Sequence, residues 1–242
     1  PLHPDANDRI AKHKAMVSYV DHAVGRILSA LASEDFGDNT IMIFTTDNGS
    51  GGNLTGQLFD RQIKGGKAKL KESGCNAPFI VSWPKQIKAK RVTSALIDFT
   101  DLFPTLVDLA GANLPKQAHL DGSSFADIIR GEDSDSKRSW ILSMGGGVAA
   151  FKDGRVVPKK EFADRVIRDL RHKLWIEDGS PTRFFDLELD PAETKNLILS
   201  TSSDHVAARN RLLEVFANLP KKDATPRYEP NPPQEWDKVK NE

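Results

Sequence analysis

The apolar residues near the start of the chain recur every three or four positions, as on one face of a helix. Asn7 or Asp8 precedes this pattern, and both residue types are suited to cap a helix. The pattern predicts one long amphipathic helix over residues 8–31, whose apolar face consists of Ile10, Val17, Val20, Val24, Ile27 and Leu31.

Two later apolar runs differ from this helix because they are short, nearly unbroken and rich in β-branched residues. Residues 40–46 and 79–83 are typical of strands buried on both faces, as in a parallel sheet. The polar, glycine-containing segment between them is predicted to be a loop through Gly74. A second amphipathic helix is predicted over residues 100–109, with Pro104 in its first turn. This order of elements indicates an α/β layer structure.

Beyond Asp121 the predicted elements become shorter. They are a helix through Ile129 that ends at Gly131, a strand over residues 139–143, an antiparallel hairpin of residues 172–176 and 183–187, and a helix over residues 203–219. The predicted organisation is therefore an α/β core over residues 1–118, a small α+β domain with an antiparallel sheet over residues 119–219, and an extended proline-rich tail over residues 220–242.

Composition narrows the classes of function. The 242 residues include 34 Lys and Arg and 34 Asp and Glu, so the formal net charge is zero. This balance excludes a nucleic-acid or membrane-surface binder that depends on a basic excess. No apolar run reaches the roughly 18 residues that a membrane span requires. The single cysteine, Cys75, excludes an internal disulfide framework and a cysteine-based zinc site.

The sharpest candidate for chemistry is Asp47-Asn48-Gly49, directly after the first predicted strand. In open α/β sheets, ligands collect at the carboxyl ends of strands. Adjacent carboxylate and carboxamide oxygens are suitable ligands for Ca²⁺ or Mg²⁺. The same tripeptide is also typical of a β-turn, and the residues alone leave both interpretations open.

The second candidate is a basic segment that contains Lys64, Lys67, Lys69 and Lys71. Four ammonium groups, together with backbone amides exposed by the neighbouring glycines, can hold an anion. The alternative interpretation is a solvated basic loop without a bound partner.

Taken together and in order, these segments resemble the sulfatase family. The family pattern there is a strand, an Asp-Asn-Gly element, a Gly-Lys element, a Glu-Gly-Gly element and a buried strand that ends in Trp-Pro. The matching residues here are Asp47-Asn48-Gly49, Gly66-Lys67, Glu72-Ser73-Gly74 and Trp83-Pro84. The resemblance continues through residues 98–111, Leu120-Asp121-Gly122-Ser123-Ser124, Phe185-Asp186-Leu187 and Asp190-Pro191-Ala192-Glu193.

The resemblance implies the C-terminal portion of an alkaline-phosphatase-like three-layer αβα core and the activity of a sulfuric ester hydrolase. In this family a formylglycine, made from the first residue of a Cys/Ser-x-Pro-x-Arg pattern, is the nucleophile. A calcium ion and basic residues hold the sulfate. By position, Asp47 and Asn48 correspond to two metal ligands, and Lys67 corresponds to the catalytic lysine that pairs with a sulfate oxygen of the substrate.

The modification pattern does not occur in this chain, because the segments at Cys75, Ser82 and Ser180 each lack the required spacing of proline and arginine. We therefore expect the formylglycine in an N-terminal half of the same enzyme, and we expect that half to be a partner of this one. His3 lies beside the expected missing segment and His119 lies at the start of the second predicted domain. Both are further candidates for contact with the substrate.

The expected substrate is a sulfated small molecule or glycan, and the resemblance implies an extracytoplasmic location, periplasmic or secreted. Two alternatives remain: a phosphodiesterase or phosphonate hydrolase of the same superfamily, and a non-catalytic cation-binding module. Asp-Asn rather than Asp-His after the strand favours the sulfatase. Two residues depart from the family pattern, since Ser73 stands in place of a usual glycine and Asn76 in place of a usual arginine.

Overall fold

The structure, a computed structural model, describes residues 8–88, 90–117, 119–132, 137–145, 149–158 and 162–223. The chain divides into two compact units, Pro1–Ile141 and Leu142–Glu242. The boundaries predicted at residues 118 and 220 stay predictions, and the tail from residue 224 onward lies outside the described residues. Within the described ranges no helix combines the length and hydrophobicity needed to cross a membrane.

The first unit opens with helix α1 (Arg9–Ser33), which confirms the helix predicted over residues 8–31. Asp8 caps this helix, because its Oδ1 accepts a hydrogen bond from the amide of Ala11 at 2.8 Å. None of the helix residues is buried, and Met16 and Tyr19 are 68% and 62% exposed. Val17 and Ile27 of the predicted apolar face are 55% and 52% exposed, so the described residues leave most of that face uncovered.

Five short elements follow α1 in the first unit. They are β1 (Met42–Thr45), β2 (Thr55–Leu58), β3 (Arg61–Lys64), the helical turn α2 (Glu72–Cys75) and β4 (Phe79–Ser82). Strands β1 and β4 confirm the two apolar runs as strands, and they pair antiparallel with Phe44 opposite Ile80. Their pairing with each other is antiparallel rather than parallel, and the burial of the two strands differs, since every residue of β1 is partly buried. Burial along β4 alternates and leaves Ile80 59% exposed, so the described residues cover only one of its faces.

The segment predicted as a polar loop contains the hairpin β2–β3. Its register places Gln57 opposite Gln62 and Leu58 opposite Arg61, which leaves a two-residue connection. Only Ile63 among the strand residues is partly buried. The sequence did not predict this hairpin because a strand pair that buries so little apolar surface lacks the usual hydrophobic alternation.

The 3₁₀ turn Phe99–Asp101 leads into α3 (Leu102–Leu109), which confirms the helix predicted there. The carboxylates of Asp98 and Asp101 form a capping box at the start of the 3₁₀ turn. Helix α4 (Ala126–Arg130) ends at Gly131, whose φ of 82° is the left-handed conformation common after helices.

The buried cluster of the first unit lies around α4. It contains Phe125, Ile128 and Ile129, against which apolar side chains of β4 and α3 pack. The rings of Phe79 and Phe125 meet edge to face with centroids 5.8 Å apart. This packing holds β4, and through its pairing β1, against the two short helices.

The second unit is built on an antiparallel sheet and one helix. Its elements are β5 (Ile141–Met144), β6 (Ala149–Lys152), β7 (Arg155–Pro158), β8 (Arg165–Arg168), β9 (His172–Glu177), β10 (Ser180–Asp186) and α5 (Ser203–Asn218). Four of the strands form one sheet in the order β10-β9-β8-β5, and β6 pairs with β7. The predicted hairpin and the last helix are confirmed, and α5 packs on β8 and β9.

A fully buried ion pair lies within this second core. Lys173 of β9 donates from Nζ to Oε1 of Glu193 at 3.2 Å, and both side chains are 1% exposed. The indole Nε1 of Trp175 donates to the other carboxylate oxygen at 3.0 Å. Both oxygens of the buried carboxylate are thus paired, which is the condition under which a buried charge is tolerated.

Candidate functional site

The turn after β1 carries the two predicted metal ligands. The hydroxyl of Thr46 donates to the carbonyl oxygen of Asn48 at 3.1 Å, and the side-chain amide of Asn48 donates to the carbonyl oxygen of Gly49 at 2.9 Å. These bonds close the turn and engage the amide nitrogen of Asn48, so Oδ1 is the atom that can serve a cation. Asp47 is exposed and Asn48 is partly buried.

Backbone hydrogen bonds join this turn to two distant loops. The amide of Gly49 donates to the carbonyl oxygen of Gly74 at 3.0 Å, and the amide of Lys67 donates to the carbonyl oxygen of Ser50 at 3.0 Å. We call residues 49–51, 65–67 and 73–74 the three-segment junction. It brings the backbone of Lys67 next to the Asp-Asn-Gly turn, although the two are well separated along the chain.

Glycines make the close packing of the junction possible. A Cβ on Gly49 would collide with the carbonyl group of Ser73, lying 2.8 Å from its carbon, and a Cβ on Gly66 would lie 2.7 Å from the amide nitrogen of Gly74. A Cβ on Gly65 would lie 2.5 Å from the carbonyl oxygen of Ser50. The close backbone contacts of the junction therefore require the glycines of the Asp-Asn-Gly and Gly-Lys motifs.

Asp47 and Asn48 are the side chains of this region that the sequence predicted as metal ligands. The described residues contain no cluster of three or more His, Cys, Asp or Glu side chains arranged to hold a metal ion. The carboxylate of Asp47 and Oδ1 of Asn48 are the hard donors that Ca²⁺ prefers, but its usual complement is about six to eight oxygens. By their chemistry the two residues are suited to supply part of such a ligand set, and their role as calcium ligands stays a prediction.

The basic segment, residues 64–71, runs through the junction at residues 65–67. Lys64, Lys67 and Lys69 are exposed, and Lys71 is partly buried. Lys67 is distinguished by its backbone bond to Ser50, the residue after the Asp-Asn-Gly turn, whereas the amide of Lys69 donates to the carbonyl oxygen of Gly66 at 2.8 Å. The side-chain convergence of Lys67 with Asp47 and Asn48 stays a prediction.

Of the two candidate histidines, His119 lies within the described residues. His3 lies outside the described residues. His119 is exposed in the segment between α3 and α4, and the backbone bonds of the junction do not include it. Their contact with a substrate also stays a prediction.

An ion pair that the sequence did not predict anchors the segment after His119. The guanidinium of Arg138 donates to Oδ1 of Asp101 at 2.5 Å, and the same oxygen accepts from the amide of Ser123 at 2.8 Å. Burial raises the pKa of Asp101, but the bonds from Arg138 and the backbone amides outweigh it and hold the pKa below its ordinary value. Gly122 packs directly on the carbonyl of Thr100, so this segment is closely fitted to the start of α3.

Two family models match the chain. The Sulfatase model matches residues 3–112, and the model for N-sulphoglucosamine sulphohydrolase, C-terminal, matches residues 66–218. The second match alone covers more than half of the chain. Together they include the junction and the buried Lys173–Glu193 pair.

Curated relatives carry related names. The chain is 28% identical over 209 residues to an N-acetylgalactosamine-6-O-sulfatase of Bacteroides thetaiotaomicron, which covers 82% of this chain and 40% of the relative. It is 27% identical over 223 residues to arylsulfatase K of Gallus gallus, which covers 89% of this chain and 38% of the relative. The chain spans 21–40% of the length of the first relatives it matches.

Solved structures show the same architecture. A 2-O GAG sulfatase is 27% identical and superimposes with a TM-score of 0.60 over 81% of this chain and 40% of its own. The i-CgsB protein in complex with k-i-k-neocarrahexaose, 24% identical, superimposes with a TM-score of 0.66 over 88% of this chain and 44% of its own, and shows the fold alone. These likenesses confirm the predicted α/β class with an alkaline-phosphatase-like fold. With the family models, they establish that the chain belongs to the sulfatase family.

Proposed function

We propose that the protein carrying this chain hydrolyses sulfuric esters, and that Asp47, Asn48 and Lys67 form part of its sulfate site. The observation that carries the proposal is the three-segment junction. Its backbone bonds hold the Asp-Asn-Gly turn and the Gly-Lys element side by side, which supports a site where the oxygens of Asp47 and Asn48 bind a cation and the ammonium of Lys67 binds the sulfate beside it.

The residues of the chain have separate roles in this proposal. Asp47 and Asn48 hold two positions around a calcium ion, which supplies positive charge next to the sulfate when it is bound. Lys67 donates a hydrogen bond to a sulfate oxygen and stabilises the negative charge that shifts during S–O cleavage. The junction fixes the backbone at both places, so little reorganisation is needed when the substrate arrives.

The nucleophile is assigned to a part of the protein other than this chain. None of its Cys or Ser residues lies in a Cys/Ser-x-Pro-x-Arg pattern, so the formylglycine of the family belongs in an N-terminal half that acts as the partner of this chain. The family membership supports this division, because the relatives are longer than the part that this chain matches.

The proposed substrate is a sulfated small molecule or glycan. Support comes from the names of relatives, which include an ulvan-active sulfatase of Formosa agariphila and steryl-sulfatases of Mus musculus and Homo sapiens. An extracytoplasmic location, periplasmic or secreted, follows as part of the same proposal, since polymeric sulfated glycans are met outside the cytoplasm.

The test is a sulfate-release assay on the complete protein with p-nitrophenyl sulfate and sulfated polysaccharides, run beside p-nitrophenyl phosphodiesters. Sulfate release that Lys67→Ala lowers far more than Lys69→Ala supports the proposal. Preferential phosphodiester hydrolysis would assign the alternative activity. Calcium binding without hydrolysis of either ester would leave a cation-binding module and overturn the proposal.

A further inference from the structure

The hairpin β2–β3 (Thr55–Leu58 and Arg61–Lys64) projects directly from the three-segment junction. Its base is tied by hydrogen bonds from the amide of Gly65 to the carbonyl oxygen of Leu54 at 2.8 Å and from the amide of Leu54 to the carbonyl oxygen of Gly51 at 2.9 Å. Each strand rises about 14 Å at the usual spacing of strand residues. The hairpin is therefore continuous with the candidate sulfate site but extends well beyond one bound sulfate group.

One face of the hairpin is composed of polar side chains. Residues that pair across an antiparallel ladder share a face with residues two positions away. This rule places Thr55, Gln57, Gln62 and Lys64 on the same face, and all four are exposed. They offer a hydroxyl, two carboxamides and an ammonium, which are suitable partners for the hydroxyl and sulfate groups of a sulfated sugar.

The tip of the hairpin presents an aromatic ring to solvent. Phe59 is 88% exposed, and its φ of 53° lies in the left-handed region, which is costly for a bulky residue. The side-chain amide of Gln57 donates to the carbonyl oxygen of Phe59 at 2.8 Å and holds the tip in this conformation. An exposed aromatic ring on a braced, strained turn is a platform on which a ring-shaped ligand can stack.

The charge of the hairpin suits an anionic ligand. Between residues 55 and 67 the chain carries the cations Arg61, Lys64 and Lys67 and the single carboxylate of Asp60. Arg61 pairs with Leu58 and so lies on the opposite face, whereas Lys64 of the polar face and Lys67 follow one another toward the candidate sulfate site, so an anionic chain can lie along these two.

We propose that the hairpin β2–β3 is a distal glycan-binding subsite that selects extended sulfated oligosaccharides, with the ring of Phe59 stacked on a sugar remote from the ester that is cleaved. This proposal rests on the proposed sulfatase function. Phe59 and the polar face bind sugars without touching the reacting sulfur, so they act on the choice of substrate rather than on the chemical step.

The test compares short and long substrates with the complete protein. Disaccharides and octasaccharides of ulvan, carrageenan, chondroitin sulfate and heparan sulfate are assayed beside p-nitrophenyl sulfate. For Phe59→Ala we expect kcat/KM on the octasaccharides to fall about three- to tenfold, the range expected for loss of one stacking contact. Activity on p-nitrophenyl sulfate stays unchanged. Lys64→Gln lowers the same octasaccharide rates, and the loss shrinks at high salt.

Phe36→Ala is the matched control, because Phe36 is also an exposed phenylalanine, at 63%, and lies in the segment between α1 and β1. It should behave as wild type on every substrate. The inference is overturned if Phe59→Ala matches Phe36→Ala on the octasaccharides, or if it lowers p-nitrophenyl sulfate hydrolysis equally.

A binding experiment tests the hairpin subsite independently of the proposed sulfatase activity. Affinity electrophoresis through gels that contain each polysaccharide measures retardation without requiring turnover. If no sulfate ester is hydrolysed but Phe59→Ala abolishes retardation, the sulfatase proposal fails, and of this inference the glycan binding by the hairpin is supported while its role in substrate selection is overturned. Equal mobility of wild type and Phe59→Ala in every gel, together with equal octasaccharide rates, overturns the subsite alone.

Discussion

The amide of Gly49 donates a hydrogen bond to the carbonyl oxygen of Gly74 at 3.0 Å, and this contact holds the turn after β1 against the end of the lysine-containing loop. Neither residue has a side chain that can take part in chemistry. Their contribution is to let two backbones approach so closely that Asp47 and Lys67 are carried by one rigid piece of loop structure.

Gly49→Ala should therefore lower the stability of the complete enzyme, although the substitution adds only one methyl group. The new Cβ would collide with the carbonyl of Ser73, and forcing an extra methyl into a packed site costs about 1–3 kcal/mol. We expect lower stability to urea and reduced sulfate release. Gly56→Ala is the control, since nothing lies within 4 Å of its added Cβ. Equal urea midpoints for the two variants would contradict the close packing.

Lys67→Ala in the complete enzyme should lower kcat more than it raises KM. An ammonium held against the sulfate gains most as negative charge shifts in the transition state, and loss of one such group typically costs about 10²–10³ in rate. Steady-state kinetics with p-nitrophenyl sulfate measure the effect. Lys69→Ala and Lys71→Ala serve as comparisons, and three equally small effects would mean that the lysines form a solvated basic face.

The chain expressed by itself should not hydrolyse sulfate esters and should bind calcium only weakly. Two oxygen-donating residues leave a calcium ion far short of its usual coordination, so we expect a dissociation constant on the order of 10⁻³ M or weaker. Isothermal titration calorimetry and a sulfate-release assay measure the two properties. Robust turnover of p-nitrophenyl sulfate by this chain alone would show that the nucleophile has been assigned to the wrong part of the protein.

Exposed apolar residues of helix α1 should cause the isolated chain to self-associate and to bind hydrophobic dyes. Its apolar side chains include Val17, which is 55% exposed, and exposed patches of this kind bind hydrophobic dyes and other proteins. We expect the isolated chain to bind 8-anilinonaphthalene-1-sulfonate and to self-associate in light scattering. Val17→Glu should reduce both signals, whereas Ser18→Glu, which adds the same charge at the neighbouring polar position, should not. An isolated chain that stays monomeric and does not increase the fluorescence of the dye would contradict this prediction.

His172 should make the second unit sensitive to mild acid. Burial lowers the pKa of its imidazole from the ordinary value of 6.5; Asp169 and Asp186 oppose this shift, and Arg171 and Arg211 reinforce it. The ring is buried and stacks on Phe184 with centroids 5.5 Å apart. Because burial disfavours the charged imidazolium, the folded state favours the unprotonated form. Its stabilising contribution is complete above pH 6.5 and is lost as pH falls toward the lowered folded-state value, because only the unfolded chain takes up the proton.

Urea unfolding followed between pH 7.5 and 5, a range of roughly one to two units about the ordinary histidine pKa, measures this loss. His172→Phe should flatten the decline in the free energy of unfolding, while His22→Gln on the exposed face of α1 should leave the profile of wild type. Parallel profiles for wild type and His172→Phe would assign the acid sensitivity to other groups.

Local patterns predicted the elements whose residues bury apolar surface. The period of α1, the runs that became β1 and β4, and the hairpin of β9 and β10 all follow from spacing along the chain. The hairpin β2–β3 escaped prediction because its strands are exposed and polar. The antiparallel pairing of β1 with β4 could not be predicted from the sequence either. A long segment separates the two strands, and a local pattern does not describe the path of that segment.

The candidate site shows the same limit. Motif order identified Asp47, Asn48 and Lys67 as residue types suited to a sulfate site, but no spacing rule showed that Gly49 and Gly74 touch. The Asp101–Arg138 ion pair joins residues 37 positions apart, and no periodic pattern in the sequence predicted it. Contacts between distant segments depend on the folded backbone, and a single sequence carries no direct signal for them.

The buried Lys173–Glu193 pair has a consequence for chimeric enzymes. Glu193 closes the Asp190-Pro191-Ala192-Glu193 element, while Lys173 and Trp175, which bind its carboxylate, belong to a strand some twenty residues earlier. A graft that exchanges the later element without the earlier strand can leave one charge of the pair buried without its partner. Loss of one partner of a buried pair lowers the free energy of unfolding by about 3–5 kcal/mol. Swaps of C-terminal segments among sulfatases should therefore cut upstream of β9, so that all three residues travel together.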